Sequence, residues 1–91
     1  MGQAVRYVLF YESGDLSLAM EHFPAHKARY TGFMERGVLL SLGPFTDGSG
    51  SIAVFTTREA ADEFASGDPF VLNGVVSSWQ VREWREVTRD I

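Results

Sequence analysis

Two short segments of the 91-residue chain carry residue types suited to moving protons. The first holds Phe23, His26, Tyr30 and Phe33, spaced three, four and three apart. On a helix that spacing places one imidazole among aromatic side chains on a single face. The second is Asp68-Pro69-Phe70. An imidazole titrates near neutral pH, and a carboxylate beside it fixes the ring tautomer and stabilises the imidazolium. His26 and Asp68 together are therefore a candidate acid–base dyad. Each also has a plain structural explanation. A single histidine on an apolar face is commonly a core residue satisfied by a backbone carbonyl. Asp before Pro at a helix start is ordinary capping, worth about 1 kcal/mol. Spacing alone does not choose between these readings.

The remaining polar groups point less sharply. His22 and His26 form an H-x-x-x-H string, which on a continuous helix can ligate a metal. Pro24 suits the first turn of a helix, which would leave His22 ahead of it, and a third ligand would have to be a distant carboxylate; no metal is assigned. His22 is expected in solvent. Ser41 has no base near it in sequence and reads as a strand residue. Gly43-Pro44 either ends a strand or lets backbone approach a ligand closely.

These residues need a scaffold, and the bulk properties bound it. The length suits one domain over residues 1–91, able to fold without staples. Apolar residues make up 45% and aromatics 13%, as a compact core requires. There is no cysteine, so neither disulfides nor thiol chemistry contributes. The net charge is −4, and Arg82, Arg85 and Arg89 are interleaved with Glu83, Glu86 and Asp90. That is not the one-signed basic patch that nucleic acid demands. No apolar run approaches the ~20 residues needed to span a bilayer. The segment from Met1 to Arg6 lacks the pattern of a signal peptide. A soluble, cytoplasmic protein is expected, with no nucleic-acid or membrane partner.

The element order follows from periodicity and punctuation. Ala4 to Tyr11 reads as a strand, and Glu12 to Leu18 as a loop with room for a helical turn. With Pro24 in its first turn, a helix is expected from about Pro24 to Arg36, stopped by Gly37. Val38 to Phe45 and Ser51 to Phe55 form a hairpin around Asp47-Gly48-Ser49-Gly50. Thr56 and Glu59 make a capping-box pattern for a helix from about Thr57 to Ser66, ended by Gly67. Asp68-Pro69 restarts a short turn. After Asn73-Gly74, a long strand runs from Val75 to Glu86, and Val87 to Ile91 are expected to fray. The sum is an α+β chain, βαββαβ, the ferredoxin-like arrangement with a four-stranded antiparallel sheet. The first strand is apolar on both sides, with Val5, Tyr7 and Leu9 on one and Val8 and Phe10 on the other. Helices can cover one side only. The open side spans roughly 400 Å², and its aromatic content predicts a sheet-to-sheet homodimer.

Taken in order, several motifs resemble the YCII-related (YciI-like) proteins: Pro24-Ala25-His26-Lys27-Ala28-Arg29, Gly37-Val38-Leu39-Leu40, Gly43-Pro44-Phe45, Gly50-Ser51, and Ala65-Ser66-Gly67-Asp68-Pro69-Phe70. The resemblance runs from about Arg6 to Val87, with Glu12 to His22 departing from it. It implies the ferredoxin-like fold, a dimeric α/β-barrel assembly able to extend to higher oligomers, and a His–Asp pair in a pocket. By position His26 and Asp68 match that pair, and Tyr7, Gly43, Pro44, Ser51 and Phe70 fall where the pocket is lined. The implied activity is cofactor-free acid–base chemistry, of lyase, isomerase or dehydrochlorinase type, on a small cyclic or aromatic metabolite. His26 would be the base, Asp68 its orienting partner, and Phe45 a further apolar wall. A non-catalytic module that binds a small ligand would share the same sequence features. A cofactor-independent monooxygenase is a second alternative on this fold.

Overall fold

The computed structural model describes residues 2–89. In chain order it contains β1 (Gly2–Ser13), α1 (Ala19–Glu35), β2 (Leu39–Pro44), β3 (Gly50–Phe55), α2 (Arg58–Gly67), α3 (Pro69–Leu72) and β4 (Val76–Thr88). The four strands form one antiparallel sheet in the order β2-β3-β1-β4, with β1 pairing both β3 and β4. This is the ferredoxin-like α+β architecture: the strands that α1 joins, β1 and β2, are separated by β3, which runs against both.

Strand alternation decides what each face carries. Tyr7, Leu9 and Tyr11 of β1 lie opposite Phe55, Ala53 and Ser51 of β3 and face the helices. The core there is a cluster of Leu9, Phe33, Leu39, Phe55 and Phe64. Phe33 meets Phe64 edge-on at 5.2 Å, and Phe55 lies 5.5 Å from Phe64. Ala60, Ala61 and Ala65 let α2 settle close to the sheet while burying Phe64 fully. Burial of an aromatic side chain of this size contributes about 1.5–3 kcal/mol. A bulge between Leu39 and Ser41 adds one residue to β2. Without it, Leu39 and Leu42, three positions apart, would point to opposite faces. With it, both pair with helix-facing residues, Phe55 and Ala53.

Four sequence expectations are corrected. First, α1 begins at Ala19, and Pro24 lies inside it. Asp15 starts this region by accepting from the Ser17 N–H, capping a 3-10 turn over Leu16–Leu18 that runs directly into α1. The carbonyl that Pro24 cannot serve in the helix ladder belongs to Met20, a residue on the exposed side of the helix. Second, Thr57 rather than Thr56 caps α2, accepting from the Ala60 N–H at 3.1 Å. Thr56 still belongs to the sheet end, where its N–H donates to the Val38 carbonyl. Third, Glu12 and Ser13 extend β1 rather than opening a loop. Fourth, Val87 and Thr88 do not fray, because they pair with Gln3 and Gly2; the expectation for Asp90 and Ile91 lies outside the described residues. The expected left-handed stop at Gly37 is present, with φ of +78°. No helix among the described residues is long and apolar enough to cross a membrane.

Candidate active site

The helix-facing side of β1 and β3, together with α1 and α3, encloses a cavity of about 510 Å³. That is the size of a small-molecule pocket. Its walls are mainly apolar and aromatic, and His26 sits in them, 8% exposed.

Asp68 lies beneath His26, with no exposed surface. It is placed by the α2–α3 junction: α2 ends at Gly67, Asp68 turns extended, and Pro69 starts α3. Three donors from three elements converge on its two oxygens. His26 Nδ1 of α1 is 2.8 Å from Oδ1. The Phe70 N–H donates to the same oxygen at 3.1 Å, which is the N-cap bond of α3. The Tyr11 hydroxyl of β1 donates to Oδ2 at 2.7 Å. A carboxylate accepts only, so it fixes the proton of the neutral imidazole on Nδ1. Nε2 has no protein partner among the described residues, which leaves its lone pair as the basic group available to the cavity.

Aromatic packing fixes the ring as well. Phe70 stacks on it at 3.9 Å with the planes 6° apart, and Tyr30 meets it edge-on at 5.3 Å. Burial first, then the negative charge of Asp68, pushes the Tyr11 phenol above its ordinary 10.0. Tyr11 therefore remains a hydrogen-bond donor throughout the neutral range.

The structure brings together His26, Asp68, Gly43, Pro44, Ser51 and Phe70. Tyr7 and Phe45 are not among the cavity walls. The Tyr7 hydroxyl donates to Glu83 at 3.3 Å, and Arg58 lies over its ring. Phe45 is largely exposed. While Phe23 and Tyr30 stand beside His26 as their helical spacing predicts, sequence reasoning missed Tyr11 and Leu42 of the lining. Tyr11 was within reach of it, because β1 alternation puts Tyr11 on the same face as Tyr7. His22, on α1 one turn before His26, lies 3.8 Å from Glu21 and has partial exposure instead of lying free in solvent. Its i, i+4 relation to His26 does exist, contrary to the expectation from Pro24. Nevertheless, no group of three or more His, Cys, Asp or Glu residues suited to a metal occurs among the described residues.

Comparisons with known proteins bear on the fold and the family. The 5-chloro-2-hydroxyhydroquinone dehydrochlorinase TftG from Burkholderia phenoliruptrix AC1100, solved in complex with 2,5-dihydroxybenzoquinone, superposes with a TM-score of 0.70. The match covers 87% of this chain and 92% of that one at 18% identity, a likeness of fold. No curated protein matches at the level of sequence. The model of the YCII-related domain matches residues 5–85. The chain accordingly belongs to the YCII-related family.

Proposed function

We propose that this protein is a cofactor-free acid–base enzyme of lyase, isomerase or dehydrochlorinase type, acting on a small cyclic or aromatic metabolite. The observation that carries the proposal is the 2.8 Å contact between His26 Nδ1 and a buried Asp68, with Nε2 left to an apolar cavity. Nε2 takes a proton from a hydroxyl, or from a carbon next to an electron-withdrawing group. Asp68 stabilises the imidazolium that results and holds the ring against rotation. The imidazolium then returns the proton at another atom, which is isomerisation. Where the returned proton lands on a ring carbon that bears a leaving group, that carbon becomes saturated, and loss of a second hydroxyl proton to the base then expels the group as an anion. Pro44, Leu42 and Tyr30 line the cavity with surface suited to a flat ring, Ser51 lines it as well, and Phe70 backs the His26 ring. The similar fold of a dehydrochlorinase solved with a hydroxylated quinone supports this class of ligand.

The working unit in this reading is a cytoplasmic homodimer. The sheet face away from the helices carries Phe10, Ile52, Val54 and Trp84, with Arg82 among them, a mainly apolar surface suited to a second copy.

The test is a panel of chlorinated hydroquinones, hydroxyquinones and lactones, followed by absorbance and by chloride release, with wild type and His26→Gln compared. Turnover that falls by about 10²–10⁴ in the variant is expected. If 2,5-dihydroxybenzoquinone binds and no member of the panel turns over, the non-catalytic module becomes the better description.

A further inference from the structure

Arg29 follows His26 by three positions on α1, and the chemistry above leaves it unused. Its guanidinium is turned onto the end of α2. Nε donates to the Phe64 carbonyl at 3.2 Å, and Nη2 donates to the Glu63 carbonyl at 2.7 Å. The same group lies over the rings of Phe33 and Phe64, 5.2 and 5.8 Å from their centroids.

The end of α2 needs such a partner. The Phe64 carbonyl is the one left over, because the Asp68 N–H turns to Ala65 O instead; the Glu63 carbonyl also accepts from the Ser66 hydroxyl at 3.2 Å. The last turn of α2 carries no basic residue of its own. Arg29 supplies from α1 both the donors and the positive charge that a helix C-terminus favours.

Gly67 makes room for it. A Cβ at that position would fall 2.5 Å from Arg29 Nη2 and 2.8 Å from Cζ. Backbone conformation does not demand glycine there, since the glycines with positive φ are Gly37, Gly48 and Gly74. What a Cβ there would meet is the far end of the Arg29 side chain, which would have to leave its seat.

Two contacts one turn apart thus tie α1 to the end of α2 and the junction after it: Arg29 grips the carbonyls of Glu63 and Phe64 in the last turns of α2, and His26 meets Asp68 itself. We propose that Arg29, seated against Gly67, is a positioning residue that sets the His26–Asp68 hydrogen bond. This deepens the proposed function by naming what holds its central pair, and its readout is the bond itself, independent of turnover.

The experiment follows the exchange with solvent of the His26 Nδ1–H by nitrogen-edited NMR, assigned by its absence in His26→Gln. Arg29→Lys keeps the charge and the aliphatic stem but loses the planar fork. Gly67→Ala keeps Arg29 but takes its seat, although alanine is the better helix former. Exchange about tenfold faster is expected in each single variant, the loss of roughly one hydrogen bond's net contribution. The double variant is expected to exchange no faster than either, because one contact is lost in both. Wild-type exchange in Gly67→Ala, or effects that multiply in the double variant, overturns the proposal. Should Arg29→Lys fail to fold, Gly67→Ala decides alone. The catalytic reading fails by a different sign, turnover retained in His26→Gln.

Discussion

The Tyr11 hydroxyl donates to Asp68 Oδ2 at 2.7 Å across 57 positions of sequence, joining the middle of the sheet to the junction of two helices. That bond explains why Asp68 serves two ends at once. One oxygen caps α3 through the Phe70 N–H and faces His26 Nδ1, and the other is held by Tyr11. The cap and the His26 contact are therefore not competing explanations of Asp68. The carboxylate has enough acceptor sites for all three donors.

The raised pKa of Tyr11 gives a pH dependence with a definite sign. Burial and the Asp68 charge hold the phenol protonated in the native state above its ordinary 10.0. A group whose folded pKa is raised contributes stability that is complete below the unfolded value and is lost as pH climbs beyond it. Stability should thus fall above pH ~10, with Tyr11 contributing ~1.4 kcal/mol per pH unit. Tyr11→Phe should remove that part of the slope. At neutral pH it should cost about 1.5–3 kcal/mol, the range for a hydrogen bond to a charged group. Urea unfolding from pH 7 into the alkaline range checks both. Parallel curves for wild type and variant would show that Tyr11 is not the group that titrates.

Asp68→Ala leaves His26 Nδ1, the Tyr11 hydroxyl and the Phe70 N–H without their acceptor in a buried place. We expect a destabilisation of about 3–5 kcal/mol, well above the ~1 kcal/mol of a lost cap. Asp68→Asn keeps one acceptor oxygen but offers an N–H₂ where a second acceptor was, and should cost about 1–3 kcal/mol. Its amide can hold the imidazole in the other tautomer, so its turnover should fall alongside that of His26→Gln. A cost for Asp68→Ala no larger than the cap alone would mean the three-donor cluster adds nothing to folding.

Gly50 is a test of how closely β3 must approach β1. A Cβ there would collide with the Tyr11 carbonyl, meeting both its oxygen and its carbon too closely. Gly50→Ala cannot be relieved by a rotamer change, because the obstacle is backbone. It should destabilise by about 1–3 kcal/mol, the cost of overpacking, where Gly→Ala in an ordinary strand would be neutral or favourable. Because the displaced backbone is that of Tyr11, the Tyr11–Asp68 bond should weaken with it, visible as a shallower alkaline slope of stability. A fully stable Gly50→Ala would contradict the close approach.

Much of this architecture is legible in the sequence, since alternation and turn residues act locally. The hairpin around Gly48, the stop at Gly37 and the capped restart at Asp68-Pro69 each follow from one residue's conformational preference. The start of α1 was misread because Pro24 is read as a first-turn residue. What decides the matter is Asp15, whose short 3-10 turn nucleates the helix upstream. The His26–Asp68 contact was legible only as two types of residue worth pairing. Its distance depends on how α1 sits against the end of α2, which is set by Arg29, Gly67 and the core rings of Phe33 and Phe64. Tyr11 and Tyr7 are equivalent in the alternation of β1. The register with β3 separates them, setting Tyr11 opposite Ser51 at the cavity and Tyr7 opposite Phe55.

Phe70 separates positioning from binding. Its N–H caps against Asp68 while its ring lies flat on His26 at 3.9 Å. Phe70→Leu keeps the first contact and loses the second. The stability cost should be small, about 0.5–1.5 kcal/mol for the lost ring pair. The cost to turnover should be larger, because an imidazole free to tilt departs from the geometry that proton transfer needs, and a displacement near 1 Å is worth as much as ~10² in rate. A fall in kcat with KM little changed is the expected result on any substrate the panel yields. A rise in KM alone would assign the ring to the substrate instead, with His26 held by Asp68 and Tyr30 unaided.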